Sequence, residues 1–204
     1  MDIKLKLESN TFDGNMAQNG GAIYFGKKES DFYNENNEEI FIKNNNFTYN
    51  KAYSFGGAIY SEFDRLNISN SNDNVINYNS AGILGGGIFV SESTNKNLFH
   101  LNGFSFTNNT VESYSNDYTT KPSKIKLISN INDNVYSSGI IKLTFELYDE
   151  YNQILYDYAN FYSSLLLKLN IKSPIEVEDD IDNNKNNNFL EGNICSFSKG
   201  IIYL

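Results

Sequence analysis

Short apolar segments, two or three residues wide and punctuated by Asn or Gly, set the rhythm of the first hundred or so residues. Phe12-Asp-Gly-Asn15-Met-Ala17 is followed by Gly20-Gly21-Ala22-Ile23-Tyr24. Phe47-Thr-Tyr-Asn50-Lys-Ala52 is followed by Gly56-Gly57-Ala58-Ile59-Tyr60, and Ile76-Asn-Tyr-Asn79-Ser-Ala81 by Gly85-Gly86-Gly87-Ile88-Phe89. A fourth start, Phe106-Thr-Asn-Asn109, lacks the glycine half. The leading Phe or Ile recurs after about 35, 29 and 30 residues, a period that belongs to solenoids and repeat arrays. The residues between the anchors decide which solenoid. Asn and Gly depress helix formation, whereas Ile, Tyr and Phe suit a pleated, half-buried surface. The pattern therefore predicts stacked parallel strands, about three per coil.

Each half of the phrase has a physical role in such a stack. The glycine pairs Gly20-Gly21, Gly56-Gly57 and Gly85-Gly86 supply a bend where backbone approaches backbone and positive φ is open. Phe12, Phe47 and Phe106 form an interior column, with Ile76 in the same slot. Asn15, Asn50, Asn79 and Asn109 follow at a corner, where Asn tolerates the left-handed region, and stack into an amide ladder. The sequence is thus read as all-β: a right-handed parallel β-helix of three to four rungs over residues 1–111.

Along the chain, residues 3–8 read as a strand of the first rung and 27–39 as a charged loop. Ile40-Phe41-Ile42 opens the second rung, and 65–69 with Val75-Ile76 lead into the third. Residues 98–106 form a last, degenerate rung. The polar stretch 112–122, closed by Pro122, reads as a linker. Beyond it, 123–204 alternates with period two around a turn at Asp149–Asn152, which predicts an antiparallel β-sandwich-like module. Phe161–Ile171 is a strand or a helix. That module is expected to be incomplete, because the sequence stops inside the strand-like Ile201–Leu204.

The repeated residues resemble the polymorphic membrane protein (Pmp) repeat of chlamydial surface autotransporters, whose signature pairs Gly-Gly-Ala-Ile with Phe-x-x-Asn. Gly20–Ile23 and Gly56–Ile59 match in full, Gly85–Ile88 carries Gly87 for Ala, and Phe12–Asn15, Phe47–Asn50 and Phe106–Asn109 match the second half. The resemblance spans about residues 1–110. It implies a β-helical passenger used in adhesion and surface display, at a cell surface or outside the cell, and it brings no catalytic residues. Leu147–Gln153 resembles the strand end of bacterial Ig-like surface modules, which implies the Ig-like form of the sandwich.

Charge and composition narrow the classes. The net charge is −9 and Arg65 is the lone arginine, so no nucleic-acid footprint exists. Cys195 is the only cysteine, which rules out an intramolecular disulfide. No apolar run approaches the roughly 18 residues of a membrane-spanning helix, and residues 1–8 lack the apolar core of a signal peptide. The first repeat begins by residue 12 with no polar cap before it; the expectation is a fragment of a longer protein.

Asp13, Asp31, Glu62, Asp64, Arg65 and Glu92 are the groups that β-helical glycan-cleaving chemistry would use, since catalytic carboxylate pairs lie roughly 5–9.5 Å apart. Three or four rungs make a poor substrate groove, however, and charged turns are ordinarily solvated. Asp180, Asp182, Asn184 and Glu191 have calcium-loop spacing, but Lys185 stands where glycine makes the sharp turn, and Pro174 and Gly192 oppose flanking helices. His100, between Phe99 and Leu101, reads as a packed residue. N-glycosylation sequons at Asn46, Asn67 and Asn108 are expected by chance in so Asn-rich a chain. The reading is a non-enzymatic surface or secreted structural or adhesion protein, without metal or cofactor. Its partner would be a host or neighbouring cell-surface protein or a glycan. The alternatives are a carbohydrate-active β-helix and a non-functional gene fragment.

Overall fold

A computed structural model describes residues 4–26, 39–62, 73–91, 101–112, 114–130, 141–169 and 194–203. The first coil runs through β1 (Lys4–Glu8), β2 (Thr11–Asp13), β3 (Met16–Asn19) and β4 (Ile23–Phe25). The second repeats it with β5 (Glu39–Lys43), β6 (Asn46–Thr48), β7 (Lys51–Phe55) and β8 (Ile59–Ser61). The third has β9 (Asn74–Asn77), β10 (Ser80–Ala81) and β11 (Ile88–Val90). A single 3₁₀ turn then leads into β12 (Phe104–Thr107) and β13 (Thr110–Val111) of the fourth, which closes, after the short β14 (Tyr114–Ser115), with β15 (Tyr118–Thr120). Every pairing between coils is parallel, and the stack is a parallel β-helix.

Three faces run the length of the stack. On the aromatic face (β2, β6, β9, β12), Phe12, Phe47, Ile76 and Phe106 occupy one register position. The Phe12 and Phe47 rings lie 4.7 Å apart and nearly parallel. Phe47 and Ile76 have no solvent exposure, and burying a side chain of this size contributes about 1.5–3 kcal/mol. On the alanine face (β3, β7, β10, β13), Ala17, Ala52, Ala81 and Val111 point inward in register. On the isoleucine face (β4, β8, β11, β15), Ile23, Ile59, Ile88 and Tyr118 do the same. Strand alternation explains the sequence: Asn-Phe-Thr in β6 is half-buried, buried, half-buried. A fourth strand position, β1 paired with β5, belongs to the first two coils.

Glycine is required where the coil bends into the isoleucine face. Gly20, Gly56 and Gly85 take φ of 60°, 67° and 71°, a region that L side chains enter at a cost. The second glycine of each pair has a different reason. A Cβ on Gly57 would meet the Gly86 carbonyl at 2.0 Å and the Ser80 backbone at 2.7 Å, and one on Gly21 would meet the Gly57 carbonyl at 2.2 Å. The flattened coil leaves no room there for a side chain.

The fourth coil extends further than the sequence reading had it. Residues 112–122 are not a linker throughout: Tyr118–Thr120 pair with Ile88–Val90 as the last strand of the stack. Without the glycine pair, the chain doubles back as an antiparallel β13–β14 contact after Glu112, which takes a left-handed φ of 54°. Asn116 and Asp117 then fill the place of the missing bend, receiving the Gly85 and Gly87 amides. Beyond the stack the strands are antiparallel: β16 (Lys124–Leu127), β17 (Thr144–Tyr148) and β20 (Ile201–Tyr203) form one sheet, with β18 (Leu166–Lys168) and β19 (Ile194–Ser196) a separate pair. In the stretch left open between strand and helix, turns at Phe161–Ser164 precede strand β18. This C-terminal part packs on the flank of the stack, Phe145, Leu147, Leu155, Phe197 and Ile202 closing over Leu84 and Phe89.

Candidate interaction surface

The asparagines that end the Phe-x-x-Asn phrase point inward. Asn15 donates its backbone and side-chain N–H to Asn50 Oδ1, Asn50 to Asn79 Oδ1, and Asn79 to Asn109 Oδ1, at 2.8–3.1 Å. The second side-chain proton of each goes to a carbonyl one coil back: Asn50 to Phe12, Asn79 to Phe47, Asn109 to Ile76. Asn50, Asn79 and Asn109 are fully buried. The last amide donates to the Asp117 carboxylate at 2.9 Å, an acceptor that needs no further partner to end the row. These side chains are spent on one another and hold the coils together. The left-handed corner expected at the asparagine lies one residue earlier, at Gly14, Tyr49, Tyr78 and Asn108, with φ from 54° to 66°. Taking the corner there frees each Asn to turn into the coil.

A second ladder escaped the sequence reading. Asn10 donates to Asn45 Oδ1, and Asn45 to Asn74 Oδ1, at the corner before the aromatic face. The signal was present as an Asn two residues ahead of Phe12, Phe47 and Ile76. Phe104 stands in that register in the fourth coil, and Asn74 turns to the Gly103 carbonyl instead.

The carboxylates considered for catalysis are engaged where they are described. Asp13 accepts from Thr48 Oγ1 at 2.7 Å. Glu62 accepts from the Tyr24 hydroxyl at 2.5 Å, a bond that pushes the Tyr24 phenol up to about 12. Asp31, Asp64, Arg65, Glu92, His100 and the calcium-loop candidates Asp180, Asp182, Asn184 and Glu191 lie outside the described residues. Among the described residues no group of three or more His, Cys, Asp or Glu could hold a metal ion, and no helix is long and apolar enough to cross a membrane.

What the stack offers outward is aromatic. Tyr24, Tyr60 and Phe89 form an outer column on the isoleucine face, with stacked rings 5.0 and 5.8 Å apart. The C-terminal part covers its upper end, where Phe161 meets Phe55 edge-on and Tyr162 packs against the buried cluster under Phe89. Burial pushes the Tyr162 phenol well up. The turn after β17 locks this cover in place. Buried Asp149 accepts from Thr119 Oγ1, the Gln153 amide and the Gln153 side chain, while Gln153 also reaches the Tyr118 carbonyl. At the corner between the aromatic and alanine faces, Tyr49 and Tyr78 stack at 5.2 Å and stay 64% and 48% exposed.

The family model of the Chlamydia polymorphic membrane protein repeat matches residues 11–26 and 46–62. Both segments run from the aromatic-face strand through the glycine bend to the isoleucine face, one coil above the other. The chain carries Pmp-type repeats. The repeat family is one of chlamydial outer-membrane and surface proteins. The third coil follows the Pmp pattern with Ile76 for Phe and Gly87 for Ala, and the fourth keeps only its Phe-x-x-Asn half. No curated protein and no solved structure matches the chain.

Proposed function

We propose that this chain is a non-enzymatic part of a surface or secreted protein, in which the Pmp-type stack is a stiff display element for adhesion. The observation that carries this reading is how the coils are joined: amide ladders run through the interior of all four, and the conspicuous side chains left to solvent on the stack include tyrosines at corners and outer columns. Exposed Tyr is a contact-making residue, with an apolar body and a polar tip. The described carboxylates support the same side, since Asp13 and Glu62 each hold a neighbouring hydroxyl.

The test is cell binding by the purified chain, compared with a variant whose stack is disrupted at Gly57. Saturable binding lost in that variant is the expected result. Cleavage of a pectin-like or uronic-acid polymer by the chain, with or without Ca²⁺, would favour the carbohydrate-active alternative and overturn the non-enzymatic reading.

A further inference from the structure

The two ends of the stack differ. The fourth coil is closed: Asn109 spends its side-chain protons on the Ile76 carbonyl and the Asp117 carboxylate, and the Phe106 ring meets Tyr118, which meets Tyr151 edge-on. The first coil is open. Leu7, Phe12, Ala17 and Ile23 point into the stack in register with Ile42, Phe47, Ala52 and Ile59, which are at most 1% exposed. The four first-coil residues are only half-buried, and Asn10 and Asn15 are exposed where Asn45 and Asn50 are buried.

The unspent hydrogen bonds of the open end follow one pattern. Between coils, each ladder Oδ1 accepts two N–H groups from the preceding coil, and Asn45, Asn50 and Asn79 each return a side-chain proton to a carbonyl of that coil. Asn10 Oδ1 and Asn15 Oδ1 receive no donor among the described residues, and Asn15 Nδ2 donates to Asn50 alone. The Gly56 and Gly85 carbonyls accept the Gly21 and Gly57 amides, whereas the equivalent Gly20 carbonyl has no backbone donor among the described residues. Sterics add a condition. A Cβ on Gly21 would meet the Gly57 carbonyl at 2.2 Å and one on Gly57 the Gly86 carbonyl at 2.0 Å, so a coil laid on Gly21 must itself carry glycine there.

We propose that this end docks a further Pmp-type coil, borne by a partner polypeptide and laid on the first coil in the same parallel sense. The polarity of the end specifies the partner: an asparagine whose backbone and side-chain N–H both reach Asn15 Oδ1, an amide for the Gly20 carbonyl, and a glycine over Gly21. The mode is strand addition at a sheet edge, in which main-chain bonds supply affinity and side-chain positions supply register. A second copy of this chain does not meet the description. Its fourth coil has no glycine pair and its last ladder protons are taken, and two first coils set end to end would run their strands antiparallel. The docking face is the end of the stack and stands apart from the outer surface on which the adhesion reading rests.

The probe is a fluorescent peptide with the sequence of residues 4–26, one coil that carries both ladder asparagines and the glycine pair. It should bind the full chain saturably by anisotropy and slow hydrogen exchange in β2, β3 and β4, leaving β12, β13 and β15 unchanged. Gly21→Val in the peptide puts a side chain against the Gly21 carbonyl of the chain and should weaken binding by about tenfold or more. Asn15→Ala in the full chain removes the ladder acceptor and should weaken binding by about tenfold. No binding at about 1 mM peptide, equal binding of the Gly21→Val peptide, or protection confined to the fourth coil overturns the docking end. So does a dimer of the unaltered chain in sedimentation, which would assign the end to a second copy. Cell adhesion by a chain that ignores the peptide would sink this proposal alone and leave the adhesion reading standing.

Discussion

Replacing Asn79 by alanine takes four hydrogen bonds out of a position with no solvent access. Two come in to Oδ1, from the Asn50 backbone and side chain, and two leave Nδ2 for the Phe47 carbonyl and Asn109 Oδ1. Alanine leaves the Asn50 backbone N–H without its acceptor inside the coil, at about 1–3 kcal/mol, and each of the other three partners loses one bond of about 0.5–1.5 kcal/mol. With partial relaxation the sum is about 4 kcal/mol, a large share of the 5–15 kcal/mol typical of a folded domain. Asn15→Ala is the internal control. Asn15 is exposed, its backbone bond to Asn50 survives the substitution, and only one side-chain bond goes, so about 1 kcal/mol is expected. In urea, with a slope of about 2 kcal/mol per molar, Asn79→Ala should move the circular-dichroism midpoint down by about 2 M and Asn15→Ala by about 0.5 M. Solenoids couple coil to coil, so the Asn79 variant should also broaden the transition. Equal shifts for the two variants would refute the claim that the ladder, and not the outer surface, joins the coils.

Gly57→Ala forces a Cβ against the Gly86 carbonyl and the Ser80 backbone and should cost about 3 kcal/mol or more, read as loss of soluble protein. Gly14→Ala, with open space around it, should cost only the roughly 1–2 kcal/mol of a left-handed φ. The Tyr24 phenol is held at about 12, above its ordinary 10, chiefly by the bond to Glu62, so the folded state keeps that proton longer. Its contribution to stability is therefore complete below pH 10 and disappears as pH climbs through about 12. Urea midpoints compared on either side of that window should fall less in Tyr24→Phe than in the unaltered chain; burial raises Tyr114 and Tyr162 too, so some decline remains. Asp149→Ala leaves Thr119 Oγ1 and Gln153 without their buried acceptor and should loosen the C-terminal part by about 3 kcal/mol, seen as dye binding at the uncovered Phe89 and Leu84 before the stack melts.

The stack was legible in the sequence because its determinants are local and repeated: a Phe or Ile with an Asn three residues on recurs in all four coils, and a glycine pair in the first three. Register followed from the same feature, since identical residues at one level make the in-register pairing of Phe12, Phe47, Ile76 and Phe106 the natural one. The left-handed residue was misplaced by one because Asn tolerates that conformation well and masked the fact that Tyr49 and Tyr78 adopt it here. The end of the fourth coil was hidden for a related reason. Asn116 and Asp117 carry out the work of a glycine pair with side chains and carbonyls that share no letter with it. The docking of β17 and β20 against Leu84 and Phe89 joins residues far apart in sequence, and no local pattern encodes such a contact. Leu147–Gln153 was read as an Ig-like strand end from its letters. In the fold, Asp149 and Gln153 of that phrase bind the fourth coil through Thr119 and the Tyr118 carbonyl.

A stack held together from within constrains its surface unequally. An inward position answers to the coils above and below: Ala52 must match Ala17 and Ala81, and Asn79 must match Asn50 and Asn109. The left-handed corner position answers chiefly to its own φ, and across four coils it is Gly, Tyr, Tyr and Asn. Substitution there changes what the surface presents without disturbing an interior ladder or column; at Tyr49 and Tyr78 it alters one exposed ring stack. The corner is thus where such a coil can vary its contacts at least expense to its stability, and the gap at Gly14 beneath an exposed ring is what that freedom produces in this chain.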